Sequence, residues 1–269
     1  MKDRLPLEKL VDELRMSRKY RNLCDQTLKR VAEWAILRYS AKEATKAAKR
    51  KLHQVYAAFQ HTNDLDSLLS RVESLPNDSD TSAFRAGCFE LLRGHTSTAE
   101  RLPYLEELYS SIWNITGHPS TILDLACGYN PFTVPWMDLS PETKYWAFDI
   151  DQRLTSSVNE FFSRQGLPTL AETRDILSDL THPAADVVFL FKTLPCLEQQ
   201  RHGSALELLR KLRGRHIVVS YPLSSLSGRD KGMKETYSNQ MGLIASSLEV
   251  PFTILEFSTE IYFVLSTGA

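Results

Sequence analysis

The sequence predicts an α/β fold: a mostly parallel sheet with helices on both faces and an antiparallel hairpin at one edge, behind an N-terminal α-helical segment. Three observations carry this expectation. Short apolar runs alternate with helical patterns after residue 120. Two final apolar runs, Phe252 to Phe257 and Ile261 to Leu265, are joined too closely for a helical crossover. Before residue 60 the apolar positions follow helical spacing.

The helical part comes first. Leu7, Leu10, Val11 and Leu14 share one helical face, as do Leu28, Val31, Ala32 and Ala35. Ala41 to Arg50 is rich in Ala and Lys without Gly or Pro, which favours helix. Asp64 to Val72 is a further short helix. Pro76-Asn77-Asp78-Ser79-Asp80 is a breaker, and a boundary is placed there: 1–76 as an N-terminal helical subdomain, 77–269 as a second domain with a helical lead-in over 83–116 and a sheet from 121. Phe84 to Leu92 and Pro103 to Ile115 form the lead-in helices, joined by a polar loop around His95-Thr96-Ser97-Thr98. The strands are 121–127, Tyr145 to Asp149, one ending near Asp175, Asp186 to Phe191, His216 to Tyr221 and the closing pair. Leu154 to Gln165 and Ser204 to Leu212 are intervening helices.

Composition narrows the class. No stretch of the 269 residues approaches the roughly 20 apolar residues of a membrane span. The opening MKDRLPLEKLVDELRM mixes acids and bases, so no export signal is expected and the cytoplasm is the expected location. Cys24, Cys88, Cys127 and Cys196 are scattered, which suggests neither a metal site nor a disulfide framework. The net charge of −1 hides an asymmetry. Residues 1–60 carry 15 Lys and Arg against 7 Asp and Glu, and the remainder 17 against 26. A basic block on a neutral chain suggests a polyanionic partner; the alternative is a solvated Lys- and Arg-rich helical face.

The strongest chemical signal is Ile122-Leu-Asp124-Leu-Ala126-Cys127-Gly128, followed one strand later by Phe148-Asp149-Ile150-Asp151. Ligands of doubly wound sheets bind at the carboxyl ends of strands, near the switch point. A glycine there lets the backbone approach a ligand closely. An acid ending the second strand can accept bonds from both hydroxyls of a ribose, and Asp175 would lie near an adenine. One glycine stands where dinucleotide folds want three. That argues against NAD and tolerates S-adenosylmethionine, whose ammonium and sulfonium suit an acid such as Asp124. The alternative for Asp124 is a turn cap.

Six segments go further. They are Ser17-Arg-Lys-Tyr20, Phe84-Arg-Ala-Gly-Cys88, His95-Thr-Ser-Thr-Ala-Glu-Arg-Leu102, Cys127-Gly-Tyr-Asn-Pro131, Lys192-Thr-Leu-Pro-Cys-Leu-Glu-Gln-Gln200 and Ser227-Gly-Arg-Asp-Lys-Gly-Met233. In order and over nearly the whole chain, they resemble the aminoglycoside-resistance 16S rRNA methyltransferases that modify a guanine N7 in the decoding site. Ala99, Tyr129 and Phe132 depart from the pattern. The resemblance implies a Rossmann-like class I methyltransferase, a parallel seven-stranded sheet with an antiparallel edge hairpin. It implies S-adenosylmethionine as cofactor and 16S rRNA within the 30S subunit as partner, with no membrane or DNA partner and a monomeric state.

Residue by residue, the loop His95, Thr96, Ser97 and Thr98 would close over the cofactor, with His95 alternatively structural. Arg101 would pair with the cofactor carboxylate. Ala126 and Gly128 would pass under its methionine part, Asp149 would hold the ribose, and Asp175 and Ile176 would frame the adenine. Phe191 and Gln200 would sit by the methyl-transfer pocket. Asn130, Pro131, Lys192, Arg229 and Lys231 would position the target base, which Tyr129 and Phe132 would either stack on or leave to pack in the core. Tyr56 and Phe59 read as core. Lys19, Arg21, Lys46, Lys49, Arg50 and Lys51 would contact rRNA phosphates. Guanine N7 carries an in-plane lone pair, so no residue is named as a general base. Two alternatives stay open: a methyltransferase for another rRNA base or a small molecule, and a non-catalytic rRNA-binding protein.

Overall fold

A computed structural model describes residues 5–56, 65–79, 81–223 and 232–268. Its helices are α1 (Leu7–Arg15), α2 (Asp25–Arg38), α3 (Ala41–Val55), α4 (Leu65–Glu73), α5 (Ser82–Arg93), α6 (Thr96–Ala99), α7 (Leu105–Thr116), α8 (Gln152–Arg164), α9 (Thr193–Gln200), α10 (Ser204–Lys211) and α11 (Met233–Leu248). The strands are β1 (Thr121–Leu125), β2 (Lys144–Asp149), β3 (Leu170–Thr173), β4 (Ala185–Phe191), β5 (Gly214–Pro222), β6 (Phe252–Glu256) and β7 (Glu260–Ser266). None of these helices is long and apolar enough to cross a membrane.

The seven strands form one sheet in the order β3-β2-β1-β4-β5-β7-β6. β1 to β5 run parallel, with Leu123 opposite Trp146 on one side and Val188 on the other. β7 enters antiparallel between β5 and β6, pairing Ser220 with Tyr262 and Ile254 with Phe263. The strand order reverses between β1 and β4, which opens a crevice at their carboxyl ends.

Alternate residues of each strand point to opposite faces, and the two faces close on two cores. Ile122, Tyr145, Phe189 and Val264 join α1–α5, α7 and α8 in one. Leu123, Phe148, Leu190 and Phe263 join α9, α10 and α11 in the other. Both faces being covered, β1 reads as a continuous apolar run interrupted only by Asp124. α8 places Leu154, Val158, Phe161 and Phe162 on one buried face and is capped by Asp151, whose carboxylate accepts from the Arg153 amide at 2.8 Å. α5 is capped by Thr81 Oγ1, which accepts from the Phe84 amide at 3.2 Å.

Three elements differ from the sequence expectation. The polar loop at 95–98 contains a single helical turn, α6. α9 and α11 occupy stretches to which the apolar pattern assigned no helix. The loop at Pro76 is present, yet packing continues across it. Arg164 donates from α8 to the carbonyls of Leu75 and Pro76, and α4 lies on α8 through the Arg153–Asp66 ion pair at 2.6 Å.

Candidate functional site

A cavity opens at the carboxyl ends of β1–β4. Ala126 to Tyr129 line it after β1, Asp149 and Ile150 after β2, Arg174 to Leu177 after β3, and Phe191 to Thr193 after β4. α6 and the turn after it contribute Ser97, Thr98 and Arg101, α9 contributes Cys196, Leu197 and Gln200, and the N-terminal helices contribute Arg30, Tyr56 and Leu65.

The floor is the turn after β1. Ala126 (φ 56°) and Gly128 (φ 51°) are both left-handed, which folds the backbone back so that the Cys127 amide donates to Phe148 O at 3.0 Å. The Gly128 amide donates to Asp149 Oδ2 at 3.1 Å. A Cβ on Gly128 would stand 3.2 Å from His95 Cε1. His95 stacks on Tyr129, ring centroids 4.7 Å apart, and its Nδ1 bonds Thr98 Oγ1 at 2.7 Å. Asp149 Oδ1 accepts from the amides of Ile150 (2.7 Å) and Asp151 (3.2 Å). Burial pushes its carboxyl up to about 6, against the pull of those amides.

The far end is a buried charge cluster. Arg101, 2% exposed, donates Nε to Glu260 Oε2 at 3.0 Å, Nη1 to Asn130 Oδ1 at 3.1 Å and Nη2 to Ser97 Oγ at 3.4 Å. Its guanidinium lies 4.7 Å over the Phe191 ring. Lys192, left-handed at φ 55°, bonds Glu100 and stands 3.3 Å from Glu260. Ser220 donates to the other Glu260 oxygen. Two cations thus meet two carboxylates, and two of the five guanidinium N–H donors of Arg101 have no partner among the described residues.

Some expectations are corrected here. Asp124 does not line the cavity. It is 1% exposed, its Oδ2 accepts from Asn130 Nδ2 (2.8 Å) and Tyr145 OH (2.7 Å), and burial pushes its carboxyl up to about 7. Asn130 and Pro131 lie buried in a 3-10 turn and cannot receive a base as they stand. Asn130 instead links Asp124 to Arg101, with Tyr109 OH donating to it at 3.0 Å. Thr96 also lies outside the cavity lining. Tyr129 and Phe132 are buried and meet edge to face. Lys51 is not a free cation: Nζ donates to Gln199 O at 2.9 Å and stands 5.4 Å over the Trp34 ring. Lys19, Arg21, Lys46, Lys49 and Arg50 are exposed. Phe59, Arg229 and Lys231 lie outside the described residues.

Ile176, Leu177 and Leu197 make an apolar slot beside Asp175. Asp175 is 2% exposed; its Oδ1 accepts from the Leu177 amide, and Thr27 Oγ1 and Arg30 Nε each donate to Oδ2, all at 2.9 Å. Sequence reasoning missed Thr27, Arg30, Tyr109 and Glu260. Glu260 alone left a trace, as an acid opening an apolar strand.

The residues present fit S-adenosylmethionine. Gly128, left-handed at φ 51°, lets the backbone line the cavity floor where a side chain would press on His95. Asp149 is held by three backbone amides at the cavity wall, an apolar slot lies beside Asp175, and Arg101 keeps donors in reserve for a carboxylate. Among the described residues no group of three or more His, Cys, Asp or Glu side chains could hold a metal.

The model of the ribosomal RNA methyltransferase (FmrO) family matches residues 16–264. The chain belongs to that family. Relatives named 16S rRNA (guanine(1405)-N(7))-methyltransferase include one from Micromonospora echinospora, 36% identical with 96% of each chain covered. Another, from Proteus mirabilis, is 31% identical with 97% of each covered. Among solved structures, the 16S rRNA methyltransferase RmtF in complex with S-adenosyl-L-homocysteine is 31% identical, with a TM-score of 0.81 over 99% of each chain. The 16S rRNA methylase RmtB is 25% identical, with a TM-score of 0.81 over 97% of this chain and 98% of that one. This methyltransferase therefore shares its fold, N-terminal helices included, with these two solved 16S rRNA methyltransferases.

Proposed function

We propose that this methyltransferase transfers the methyl of S-adenosylmethionine to N7 of guanine 1405 of 16S rRNA, the activity named for its relatives. It acts as a cytoplasmic monomer on the assembled 30S subunit and so confers aminoglycoside resistance. The observation that carries this is the cavity at the β1/β4 switch point, floored by Gly128 and flanked by Asp149 and Arg101.

Bound there, S-adenosylmethionine supplies an electrophilic methyl on a sulfonium. The chain's own residues bind and orient. Arg101 offers its two uncommitted donors to the methionine carboxylate. Asp149 accepts from the ribose hydroxyls, and Ile176, Leu177 and Leu197 enclose the adenine beside Asp175. Phe191 and Lys192, at the end of β4, border the space where N7 must stand. No proton leaves before attack, so alignment is the main requirement, and alignment can contribute up to about 7–11 kcal/mol. The target base leaves its stack at a cost of about a few kcal/mol.

Lys46, Lys49 and Arg50 are exposed on α3, and Lys19 and Arg21 are exposed in the turn between α1 and α2; these basic residues make the docking surface. Phosphate contacts by this surface fix register without reading sequence. Each lost contact should lower the salt slope of binding by roughly 0.7–0.9 log units.

The test incubates the purified chain with methyl-labelled S-adenosylmethionine and unmodified bacterial 30S subunits, then maps the label. Label on N7 of the decoding-site guanine is the expected result. Label on another base, or none despite cofactor binding, would overturn the specificity. Reversing the charge of Lys46, Lys49 and Arg50 together should abolish labelling at physiological salt while cofactor affinity stays intact.

A further inference from the structure

The adenine wall of the cavity is held from outside by α2. Gln26 Oε1 accepts from the Asp175 amide at 3.3 Å. Thr27 Oγ1 and Arg30 Nε both donate to Asp175 Oδ2. The Arg30 fork also reaches the opposite lip, where Nη2 donates to Gln200 Oε1 at 2.9 Å. One guanidinium therefore joins the turn after β3 to the end of α9, across the rim of the cavity.

The same helices are bonded to the ribose side. Just ahead of α2, the Cys24 amide donates to Ile150 O at 2.8 Å and the Gln152 amide to Asn22 O at 2.9 Å. From α3, Lys51 donates to Gln199 O. The exposed basic residues thus sit on α3 and in the turn leading into α2, and α2, that turn and α3 are the parts that fix three edges of the cavity. A planar, rigid fork holds Asp175 and Gln200 together in only one relative placement of α2, the β3 turn and α9.

We propose that Arg30 is a positioning residue that couples the two binding events, so that cofactor occupancy and rRNA docking each tighten the other. The proposal rests on the reading of cavity and basic surface given under Proposed function. Seating α3 and the turn that leads into α2 on phosphates fixes the outer half of this arrangement. Filling the slot between Asp175 and Leu197 fixes the inner half. Each ligand favours the state the other needs, and linkage makes the two enhancements equal. Arg30 is partly sheltered, at 26% side-chain exposure, and its fork is committed inward, so it adds little to docking itself.

The experiment measures the affinity of labelled S-adenosylhomocysteine for the full chain, alone and with saturating 30S subunits. The wild-type chain should bind it about 5-fold or more tightly in the presence of subunits, the lower end of usual coupling. Arg30→Met should bind 30S subunits as the wild type does but show equal affinities for S-adenosylhomocysteine with and without them. Arg30→Lys keeps a charge beside Asp175 without the fork to Gln200. It should recover the affinity for S-adenosylhomocysteine that Arg30→Met loses, and not the enhancement. Equal wild-type affinities with and without subunits overturn the coupling, as does a wild-type enhancement retained by Arg30→Met. Both of those results leave the functional reading standing. A wild-type chain that binds neither S-adenosylhomocysteine nor subunits sinks the functional reading and the coupling together.

Discussion

Gly128 stands where the backbone must be left-handed and where His95 already occupies the space a side chain would take. Alanine there adds about 1–2 kcal/mol of backbone strain and presses on the His95–Tyr129 stack. Gly128→Ala should weaken S-adenosylhomocysteine binding by on the order of tenfold, read by calorimetry, with the circular dichroism spectrum unchanged. Asp124 makes a different prediction. Its carboxyl, pushed by burial up to about 7, holds a proton to higher pH than an unfolded Asp at about 3.9. The folded state therefore binds more protons between those values, and stability falls as pH rises through that window. Urea unfolding across the window should show this slope, and Asp124→Asn should flatten it; a slope unchanged by the substitution would refute the assignment. At this scale the sequence was partly legible. Gly128 and Asp149 are visible because strand ends advertise themselves by an apolar run that stops. The Asp124 reading went astray because the chain does not show that Asn130 and Tyr145 turn back on it. Arg30 was invisible, and Glu260 left only its trace as an acid opening a strand, because their partners, Asp175 and Arg101, lie 145 and 159 positions away.

Elements were legible in proportion to how fully they bury one face. α8 and the strands β1, β4, β5 and β7 bury dense apolar patterns and stand close to their expected bounds. α11 fully buries only Met241 and Ala245, too sparse a stripe for periodicity to reveal. α9 carries Pro195 in its first turn, which reads as a breaker yet is tolerated where amides have no intrahelical partner. α6 is a single turn among Ser and Thr, the composition of a loop. The joint between α5 and α8 yields the prediction of this scale. Phe84 and Phe161 are fully buried, and their rings stack with centroids 6.0 Å apart. Phe84→Ala should destabilise the protein by about 3–5 kcal/mol, measured as a fall in the urea midpoint at unchanged m-value. A shift under about 1 kcal/mol would mean that the helices repack without loss.

Across the whole molecule, the boundary at Pro76 is a break in the chain and not in the core. Leu10, Leu28 and Ala48 belong to the same apolar cluster as Tyr145 and Phe161. The sequence could announce the loop, since Pro and Asp punctuate locally. It could not announce the contacts that cross the loop, which depend on faces meeting in three dimensions. The N-terminal helices should therefore unfold with the sheet. In a chain whose other three tryptophans are replaced by Phe, Trp34 fluorescence and far-ultraviolet circular dichroism should follow one urea transition. Two separated transitions would show the helices to be an independent unit.

The placement of β7 has an outcome in the order of synthesis. Arg101 leaves the ribosome early, but Glu260, the carboxylate that meets it, is made 159 residues later. Until then β5 has no neighbour on its outer side and a guanidinium destined for the interior has no counterion. A nascent chain can thus gather its helices and its first five strands while this centre stays open to water. Chains stalled between residues 223 and 260 should be cut readily by protease around α6 and α7, and resistance should arrive only with β7. The methyltransferase is then unable to finish its own site, and so to modify a ribosome, before its last strand is released.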